Sequence, residues 1–153
     1  MRLQGRRAIV TGAGQGIGKS IALKCAEEGA DVVIAEWNRD TGAQTVKEIQ
    51  EIGRRALHVT VDVRDKSQVT DMIEHVVEKW GGVEILVNNA GFDRGATLLK
   101  VREEDWDAVL NVHLKGALNC IRAVAPCLIE KRYGKIINIS SIYGKAGAVA
   151  EIS

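Results

Sequence analysis

A glycine-rich turn is the first stretch of this sequence whose residue types suggest chemistry. The segment TGAGQGIG, residues 11–18, lies between a short apolar run and a helical pattern. An open α/β sheet places its phosphate-binding loop between a strand and a helix in this way. Gly12 lets the chain turn, Gly16 leaves room for the backbone to approach a pyrophosphate, and Gly18 lets the helix pack close to the strand. The segment therefore predicts a dinucleotide-binding loop.

Two other glycine motifs each fail at one position. A P-loop ends in Gly-Lys-Ser, as Gly18-Lys19-Ser20 does, but Ala13 stands where its first glycine is required. A strict Gly-x-Gly-x-x-Gly motif fails at Ile17. The pattern that fits is Thr-Gly-x3-Gly-x-Gly.

An acidic residue follows the second apolar run. Glu36 ends the segment VVIAE, well beyond the glycine turn. In a dinucleotide fold, a carboxylate there accepts hydrogen bonds from the adenosine ribose hydroxyls and repels a 2′-phosphate. We therefore expect NAD in preference to NADP, although Lys19 and Arg39 could soften the repulsion. The alternative is a solvated charge at the end of a strand.

Apolar runs rich in β-branched residues alternate with helical patterns along the whole chain. The runs at 8–10, 32–34, 57–63, 85–87 and 136–139 predict strands buried on both faces. Apolar residues at helical spacing lie between them, and three such stripes are clear. We predict a single α/β domain over residues 1–153, with a doubly wound parallel (Rossmann) sheet of five strands. The stripes are Ile17, Ile21 and Cys25; Val69, Met72, Ile73, Val76, Val77 and Trp80; and Trp106, Val109, Leu110, His113, Leu114, Ala117 and Ile121.

Composition and charge exclude several classes of protein. The 153 residues are 46% hydrophobic and 27% charged, with a net charge of +1. This balance has no electrostatic footprint for nucleic acid. No uninterrupted apolar run reaches the roughly 18 residues of a membrane span, and no signal-type segment opens the chain, so we expect a cytoplasmic protein.

Cysteine and histidine spacing predicts neither a disulfide framework nor a metal centre. Cys25, Cys120 and Cys127 show no Cys-x-x-Cys spacing and are expected to be free thiols in the core. The histidines at positions 58, 75 and 113 form no ligand cluster.

Four motifs taken together resemble the short-chain dehydrogenases/reductases. They are TGAGQGIG, Asp62-Val63, NNAG at 88–91, and INISS before a glycine-bearing loop. Within that family, the stretch from NNAG to EEDWD is most similar to the 3-oxoacyl-[acyl-carrier-protein] reductase branch. The resemblance implies an NAD(P)-dependent oxidoreductase that transfers a hydride between the cofactor and a secondary alcohol or ketone, with a 3-oxoacyl thioester as the leading substrate. A sugar, steroid or cyclic alcohol stays open, and the complete form is expected to be a dimer or tetramer.

The resemblance also implies roles for individual residues. Ser141 matches the serine that binds the substrate oxygen, and Ser140 is its less favoured neighbour. The implied cofactor contacts comprise the pyrophosphate loop (Gly12, Gln15, Gly16, Ile17, Gly18), the adenosine end (Glu36, Trp37), the adenine edge (Asp62, Val63) and the cofactor channel (Asn89, Gly91).

Two positions depart from the family pattern. Aligned from Trp106, the family's helix asparagine falls on His113 and not on Asn111. Histidine can donate and accept a proton, so a relay role is open beside a core role.

The family's Tyr-x3-Lys pair would begin at the first position after Ser153. The pairs Tyr143–Lys145 and Tyr133–Lys135 have the wrong spacing. We therefore expect the N-terminal portion of such an enzyme, with the rest of the family fold missing. A non-catalytic nucleotide-binding fragment and another Rossmann enzyme, such as a methyltransferase, are the alternatives.

Overall fold

Five parallel strands form one sheet in the computed structural model, which describes residues 1–146. The strand order is β3-β2-β1-β4-β5. Helices connect successive strands, as the alternating pattern predicts, so the fold is a doubly wound α/β sheet. The strands are β1 (Arg7–Thr11), β2 (Asp31–Ala35), β3 (Ala56–Val59), β4 (Ile85–Asn88) and β5 (Lys135–Asn138).

The helices cover both faces of the sheet. One core cluster joins β1, β2 and β4 to α3 and α5 through residues such as Ile9, Leu86 and Val76. The other joins the opposite strand faces to α1 and α2 through Val10 and Ile34. The helices are α1 (Gly16–Glu27), α2 (Arg39–Glu51), α3 (Lys66–Trp80), α4 (Glu103–Leu110), α5 (Ala117–Glu130) and α6 (Tyr143–Ala146).

A π-helical segment, Asn111–Gly116, joins α4 to α5 and shifts the buried face of this long helix. The predicted stripe is wrong at this segment, because His113 and Leu114 are exposed. The wider π turn changes the register of the residues that follow. The long helix therefore buries Gly116, Cys120 and Val124.

Two smaller predictions were also wrong. The strand predicted at 57–63 ends at Val59, although Val61 and Val63 beyond it are buried. Helix α1 buries Gly18, Ala22 and Ala26, whereas Ile17 is 66% exposed at its first turn. Small residues spaced four apart bring this helix close to the sheet, so they outweigh the larger side chains in deciding which face is buried.

The helix Glu103–Glu130 is long and apolar enough to cross a membrane by length and composition, with a mean hydropathy of 1.2 over its most apolar stretch. Its buried residues Cys120 and Val124 pack in the same cluster as β1 and α3. Packing in the core accounts for part of this apolar character.

Strand β5 lies at the edge of the sheet within residues 1–146. It pairs with β4 from Lys135 to Asn138, and all four of its residues are exposed. Its apolar residues Ile136 and Ile137 leave an unpaired, apolar edge, which is the surface on which a further strand adds most readily.

A buried carboxylate joins three elements at the amino end of the sheet. The side chain of Glu84 is 5% exposed. It accepts hydrogen bonds from three nitrogen atoms of Arg7, namely the backbone N (2.9 Å), Nε (3.0 Å) and Nη2. It also accepts a hydrogen bond from Lys131 Nζ (2.9 Å). Burial alone would raise the pKa of Glu84, but the hydrogen bonds from Arg7 and Lys131 outweigh it and lower the pKa to about 2. The ion pair holds β1 and β4 to the end of α5.

Replacing Glu84 tests this network. Glu84→Gln leaves the Arg7 and Lys131 cations without a buried counter-charge, so it should lower the free energy of unfolding by roughly 3 kcal/mol at pH 7. Because the folded pKa lies below its ordinary value near 4.5, the contribution of the carboxylate is complete above that value and is lost as pH falls toward 2. Urea unfolding should therefore show the difference from wild type shrinking between about pH 5 and pH 2. The exposed Glu78→Gln is the matched control, and a constant difference at every pH would contradict the account.

Candidate active site

The predicted functional loops meet at the carboxyl edge of the sheet. The glycine loop follows β1, Glu36 follows β2, Asn89 follows β4 and Ser141 follows β5. The strand order reverses between β1 and β4, so a crevice opens there outside the strand ends. The fold therefore brings together residues that lie up to 130 positions apart in the chain.

Three glycines of the loop have different surroundings, although Gly12 and Gly16 share a left-handed φ. Gly12 has a φ of 63°, a left-handed conformation that the turn requires. A Cβ atom on Gly18 would overlap the carbonyl oxygen of Gly12, so glycine lets α1 pack against the loop. A Cβ atom on Gly16, whose φ is 56°, would meet nothing within 4 Å. The space above Gly16 is open, as a loop that accepts a ligand requires.

The first turn of α1 leaves its amide groups free of side-chain caps. Gln15 is the N-cap residue in an extended conformation, and no side chain of the described residues bonds to the first amides. Uncapped N–H groups at a helix N-terminus attract anions. Gln15 and Ile17 are both exposed beside this turn.

Glu36 is buried and holds the glycine loop. It is 6% exposed, so the interpretation as a solvated charge is wrong. Its Oε2 accepts from the backbone N of Gly14 (2.9 Å), and its Oε1 accepts from the backbone N of Asn38 (3.1 Å). A carboxylate offers about four lone-pair directions, so two backbone donors leave acceptor capacity. Trp37 is 76% exposed next to it and offers a flat apolar surface.

The two cations expected to soften the repulsion of a 2′-phosphate differ in their partners. Lys19 Nζ lies 2.7 Å from Glu48 Oε1, in an ion pair between α1 and α2. Arg39 begins α2 and is exposed. The Lys19 ammonium is therefore paired with the Glu48 carboxylate.

Asn89 and Thr11 fasten the glycine loop to β4. The Nδ2 of Asn89 donates to the carbonyl oxygens of Thr11 (2.9 Å) and Gly12 (3.2 Å). The Thr11 Oγ1 accepts from the backbone N of Asn89 (3.0 Å) and of Ala90 (2.9 Å). Sequence reasoning missed Thr11 as a functional residue, although its place directly before the first glycine was the available signal.

The predicted adenine edge is held by the long helix. Asp62 accepts three hydrogen bonds from the Arg64 side chain, and the bond from this guanidinium lowers the pKa of Asp62. Val63 is buried against Gly116, where a Cβ atom would lie 2.6 Å from Val63 Cγ2. Asn119 Nδ2 donates to the carbonyl oxygens of Val63 (2.9 Å) and Arg64 (3.2 Å). No sequence signal pointed to Asn119.

His113 is exposed in the π-helical segment, so the core alternative is wrong. Its Nε2 lies 3.2 Å from the backbone N and 3.0 Å from the backbone O of Phe92. Gly91 makes room for the imidazole, because a Cβ atom there would overlap the ring. His113 therefore contacts the loop that follows NNAG at the carboxyl edge of the sheet.

Ser141 lies in an exposed loop after β5, and its Oγ accepts from the backbone N of Tyr143 (3.2 Å). Ser140 is exposed beside it. Tyr143 and Lys145 lie in the single turn α6, and residues two apart on a helix point to different sides. Tyr133 precedes β5 at the opposite edge of the sheet, where Arg6 stacks 4.1 Å from its ring centroid.

A small cavity of about 40 Å³ lies between the carboxyl ends of β1, β4 and β5 and the long helix at its π-helical segment. The Asn88 Nδ2 donates to Asn138 Oδ1 (2.8 Å), whereas its buried Oδ1 has no partner among the described residues. A buried acceptor without a donor is costly, so this wall of the crevice favours a ligand or water that donates a hydrogen bond. Thr11, Asn88, His113 and Asn138 supply its polar lining.

Cysteines and metal-ligand residues add no further chemistry in the described part of the chain. Within residues 1–146, no group of three His, Cys, Asp or Glu side chains could hold a metal ion. All three cysteines are free thiols. Burial raises the pKa of Cys25 and raises that of Cys120 to about 12, so neither is a reactive thiolate.

Comparisons with known proteins agree with this geometry. A family model described as short chain dehydrogenase matches residues 6–152. The chain is 42% identical over 147 residues to the 3-oxoacyl-[acyl-carrier-protein] reductase FabG of Thermotoga maritima, covering 96% of this chain and 60% of the relative. It is 40% identical over 148 residues to the (2S)-[(R)-hydroxy(phenyl)methyl]succinyl-CoA dehydrogenase subunit BbsD of Thauera aromatica, covering 97% and 60%.

A solved structure of NAD+-bound xylitol dehydrogenase superposes with a TM-score of 0.93 at 31% identity, covering 98% of this chain and 58% of that one. The chain thus spans about 60% of the length of the curated relatives that it matches. With the family model matching nearly every residue, and with the glycine loop at the reversal point of a parallel sheet, the chain belongs to the short-chain dehydrogenase family, a family of oxidoreductases.

Proposed function

We propose that this chain is the nucleotide-binding portion of an NAD(P)-dependent oxidoreductase that acts on a secondary alcohol or ketone. The observation that carries the proposal is the glycine loop, where open space above Gly16 adjoins the uncapped N-terminus of α1. A dinucleotide pyrophosphate fits this loop by charge and by room. When bound, the nicotinamide cofactor supplies the hydride chemistry.

Different groups of residues bind different parts of that cofactor. Gly12, Gln15, Gly16, Ile17 and Gly18 receive the pyrophosphate, and Asn89 keeps their loop in shape. Glu36 and Trp37 receive the adenosine end, whereas Asp62 and Val63 border the adenine, and Gly91 lines the channel toward the nicotinamide. The unpartnered Asn88 Oδ1 supports a donor group, or an ordered water, at the inner wall of the crevice.

Glu36 supports NAD as the cofactor, with NADP disfavoured. Its buried carboxylate has acceptor capacity for ribose hydroxyls, and a 2′-phosphate would place like charges together at a cost of several kcal/mol. The engagement of Lys19 by Glu48 removes one cation that could have offset the repulsion.

Substituting Glu36 tests cofactor preference. The 153-residue chain should bind ADP-ribose at least tenfold more tightly than 2′-phospho-ADP-ribose, and Glu36→Ala should bring the two dissociation constants together. Glu36→Gln is the matched variant, because it removes the charge and keeps one carbonyl acceptor for a backbone N–H. Isothermal titration calorimetry gives both constants, and tighter binding of the 2′-phosphorylated ligand by the wild type would contradict NAD preference.

Acyl thioesters are the substrate class that we favour. The names of the relatives from Thermotoga maritima and Thauera aromatica specify substrates carried on acyl carrier protein and on coenzyme A, both thioesters. A 3-oxoacyl thioester is therefore the leading substrate, with a sugar, steroid or cyclic alcohol as the alternative. A soluble cytoplasmic homo-oligomer is the form that we propose for the complete protein.

Ser141 and His113 are the proposed catalytic residues of this chain. Ser141 lies in an exposed loop after β5, where its hydroxyl can bind the substrate oxygen. His113 contacts the loop after NNAG and can hold a proton on either ring nitrogen, which suits a relay. By resemblance to the family, a tyrosine of a Tyr-x3-Lys pair would deliver the proton to the substrate oxygen.

The second candidate function is a non-catalytic nucleotide-binding fragment. The observation that favours it is the absence of a Tyr-x3-Lys pair from all 153 residues. In such a pair one helical turn separates the two residues, so the ammonium can lie beside the phenol and lower its pKa.

Activity of the 153-residue chain distinguishes the two candidates. We expect it to bind ADP-ribose yet not to oxidise NADH with acetoacetyl-coenzyme A or longer 3-oxoacyl thioesters. General acid–base help is worth roughly 10²–10⁴-fold in rate, and poor positioning removes more. Loss of NADH absorbance is the measurement. Turnover that Ser141→Ala abolishes would show that this chain is catalytic, and its further loss in Tyr143→Phe would identify Tyr143 as the acid.

A further inference from the structure

A histidine beneath the adenosine end of the crevice holds the peptide that carries Glu36. His58 lies in β3, next to β2, and its register partner there is Ile34. The His58 Nε2 lies 3.0 Å from the carbonyl oxygen of Glu36. Because a carbonyl oxygen only accepts hydrogen bonds, the Nε2 must carry the hydrogen.

The hydrogen bond from the His58 side chain to the Glu36 carbonyl takes the place of a backbone hydrogen bond between strands. The backbone N of Glu36 donates to Val59 O (3.1 Å), where β3 ends. The sheet pairing of β2 with β3 reaches only the Ala35–Val59 pair, so the Glu36 carbonyl lies beyond the ladder. A buried carbonyl needs a donor, and the imidazole provides it.

The position opposite His58 is shaped to accept the ring. Gly42 is a buried residue in the first turns of α2, and a Cβ atom on it would overlap Cδ2 and Nε2 of His58. Glycine inside a helix costs about 0.5–1 kcal/mol relative to alanine. The glycine and the histidine thus form a complementary pair across the α2–β3 contact.

Fixing the Glu36 peptide also fixes the direction of the Glu36 carboxylate. The Oε1 accepts from Asn38 N, which lies two residues beyond the peptide that His58 holds. Rotation of that peptide would carry the Asn38 amide away from Oε1. It would also loosen the partner bond from Oε2 to the glycine loop at Gly14.

We propose that His58 is a positioning residue for cofactor specificity and that it acts through the Glu36 peptide. Gly42 leaves the space that the His58 ring occupies. The inference rests on the proposed function. His58 touches no cofactor group itself. Its effect is to hold the carboxylate where it accepts a 2′-hydroxyl and rejects a 2′-phosphate.

The test is the ratio of two dissociation constants, that of 2′-phospho-ADP-ribose divided by that of ADP-ribose, measured with the 153-residue chain. His58→Leu keeps bulk and removes the donor, so it should lower the ratio about three- to tenfold. His58→Gln keeps an N–H donor at similar reach and should stay within about twofold of wild type. His75→Leu, at an exposed histidine of α3, is the matched control and should leave the ratio unchanged. A general loss of stability would weaken the binding of both ligands, so the ratio of their dissociation constants would not change.

A double-mutant cycle tests the pairing with Gly42. Gly42→Ala displaces the ring and should lower the ratio as His58→Leu does. The double variant should fall no further than His58→Leu alone, because both changes remove the same bond. Additive effects, or an unchanged ratio in His58→Leu, would overturn the inference and leave the proposed function standing. A wild-type chain that binds neither ligand would overturn both.

If the variants do not fold, a measurement on the wild type alone still tests the inference. Long-range ¹⁵N–¹H NMR correlations report which imidazole nitrogen of His58 is protonated. We expect the Nε2–H tautomer when the ring is neutral, and the Nδ1–H tautomer would overturn the inference because Glu36 O would then lack its donor.

Discussion

Four of the eight residues in the glycine loop are glycines, so neighbouring elements must impose its shape. Asn89 donates to its first carbonyls, Glu36 accepts from the Gly14 amide, and Thr45 Oγ1 lies 3.4 Å from the Gly14 carbonyl oxygen. These contacts come from β4, β2 and α2, so the loop is ordered only when the sheet is assembled. The shape of the loop is what leaves the amides of α1 free for an anion, and the proposed cofactor site depends on it.

The two ends of the sheet have different electrostatic roles. At the amino end, buried carboxylates are neutralised inside the chain, with Glu84 bound by Arg7 and Lys131, and Asp31 by Arg54 and Arg55. At the carboxyl end, Glu36 is bound by backbone amides and carries no cationic partner among the described ion pairs. The buried carboxylates at the two edges of one sheet are thus held by different kinds of donor, cationic side chains at the amino end and backbone amides at the carboxyl end.

Sequence pattern predicted the fold well because parallel strands buried on both faces leave a strong signal. The apolar runs around Ile9, Val33 and Leu86 became central strands, and the stripe from Val69 to Val76 became α3. The glycine pattern and Glu36 were likewise readable, since turn geometry and strand-end position are local properties. The pattern failed at His113, where a π turn altered the helical register that the stripe assumes.

The sequence pattern could not predict contacts between residues that lie far apart in the chain. Nothing local indicates that Asn119 holds the loop after Val63, or that Gly42 faces His58. The reason for a glycine at position 42 of α2 lies in another element, because a Cβ atom there would overlap the His58 ring. The burial of Glu36 decided against the alternative of a solvated charge, which the sequence had left open.

The most direct test of the account is where a dinucleotide fragment binds. Titrating ADP-ribose into the ¹⁵N-labelled 153-residue chain and following its amide resonances by NMR would map the site residue by residue. The account predicts saturable shifts at Gly14, Gly16 and Ile17 and at the loops after β2 and β4. The amino end of the sheet around Arg7 and Glu84 should stay unchanged. Shifts centred on that opposite end, or no saturable shifts in the glycine loop, would contradict the assignment of this crevice as the cofactor site.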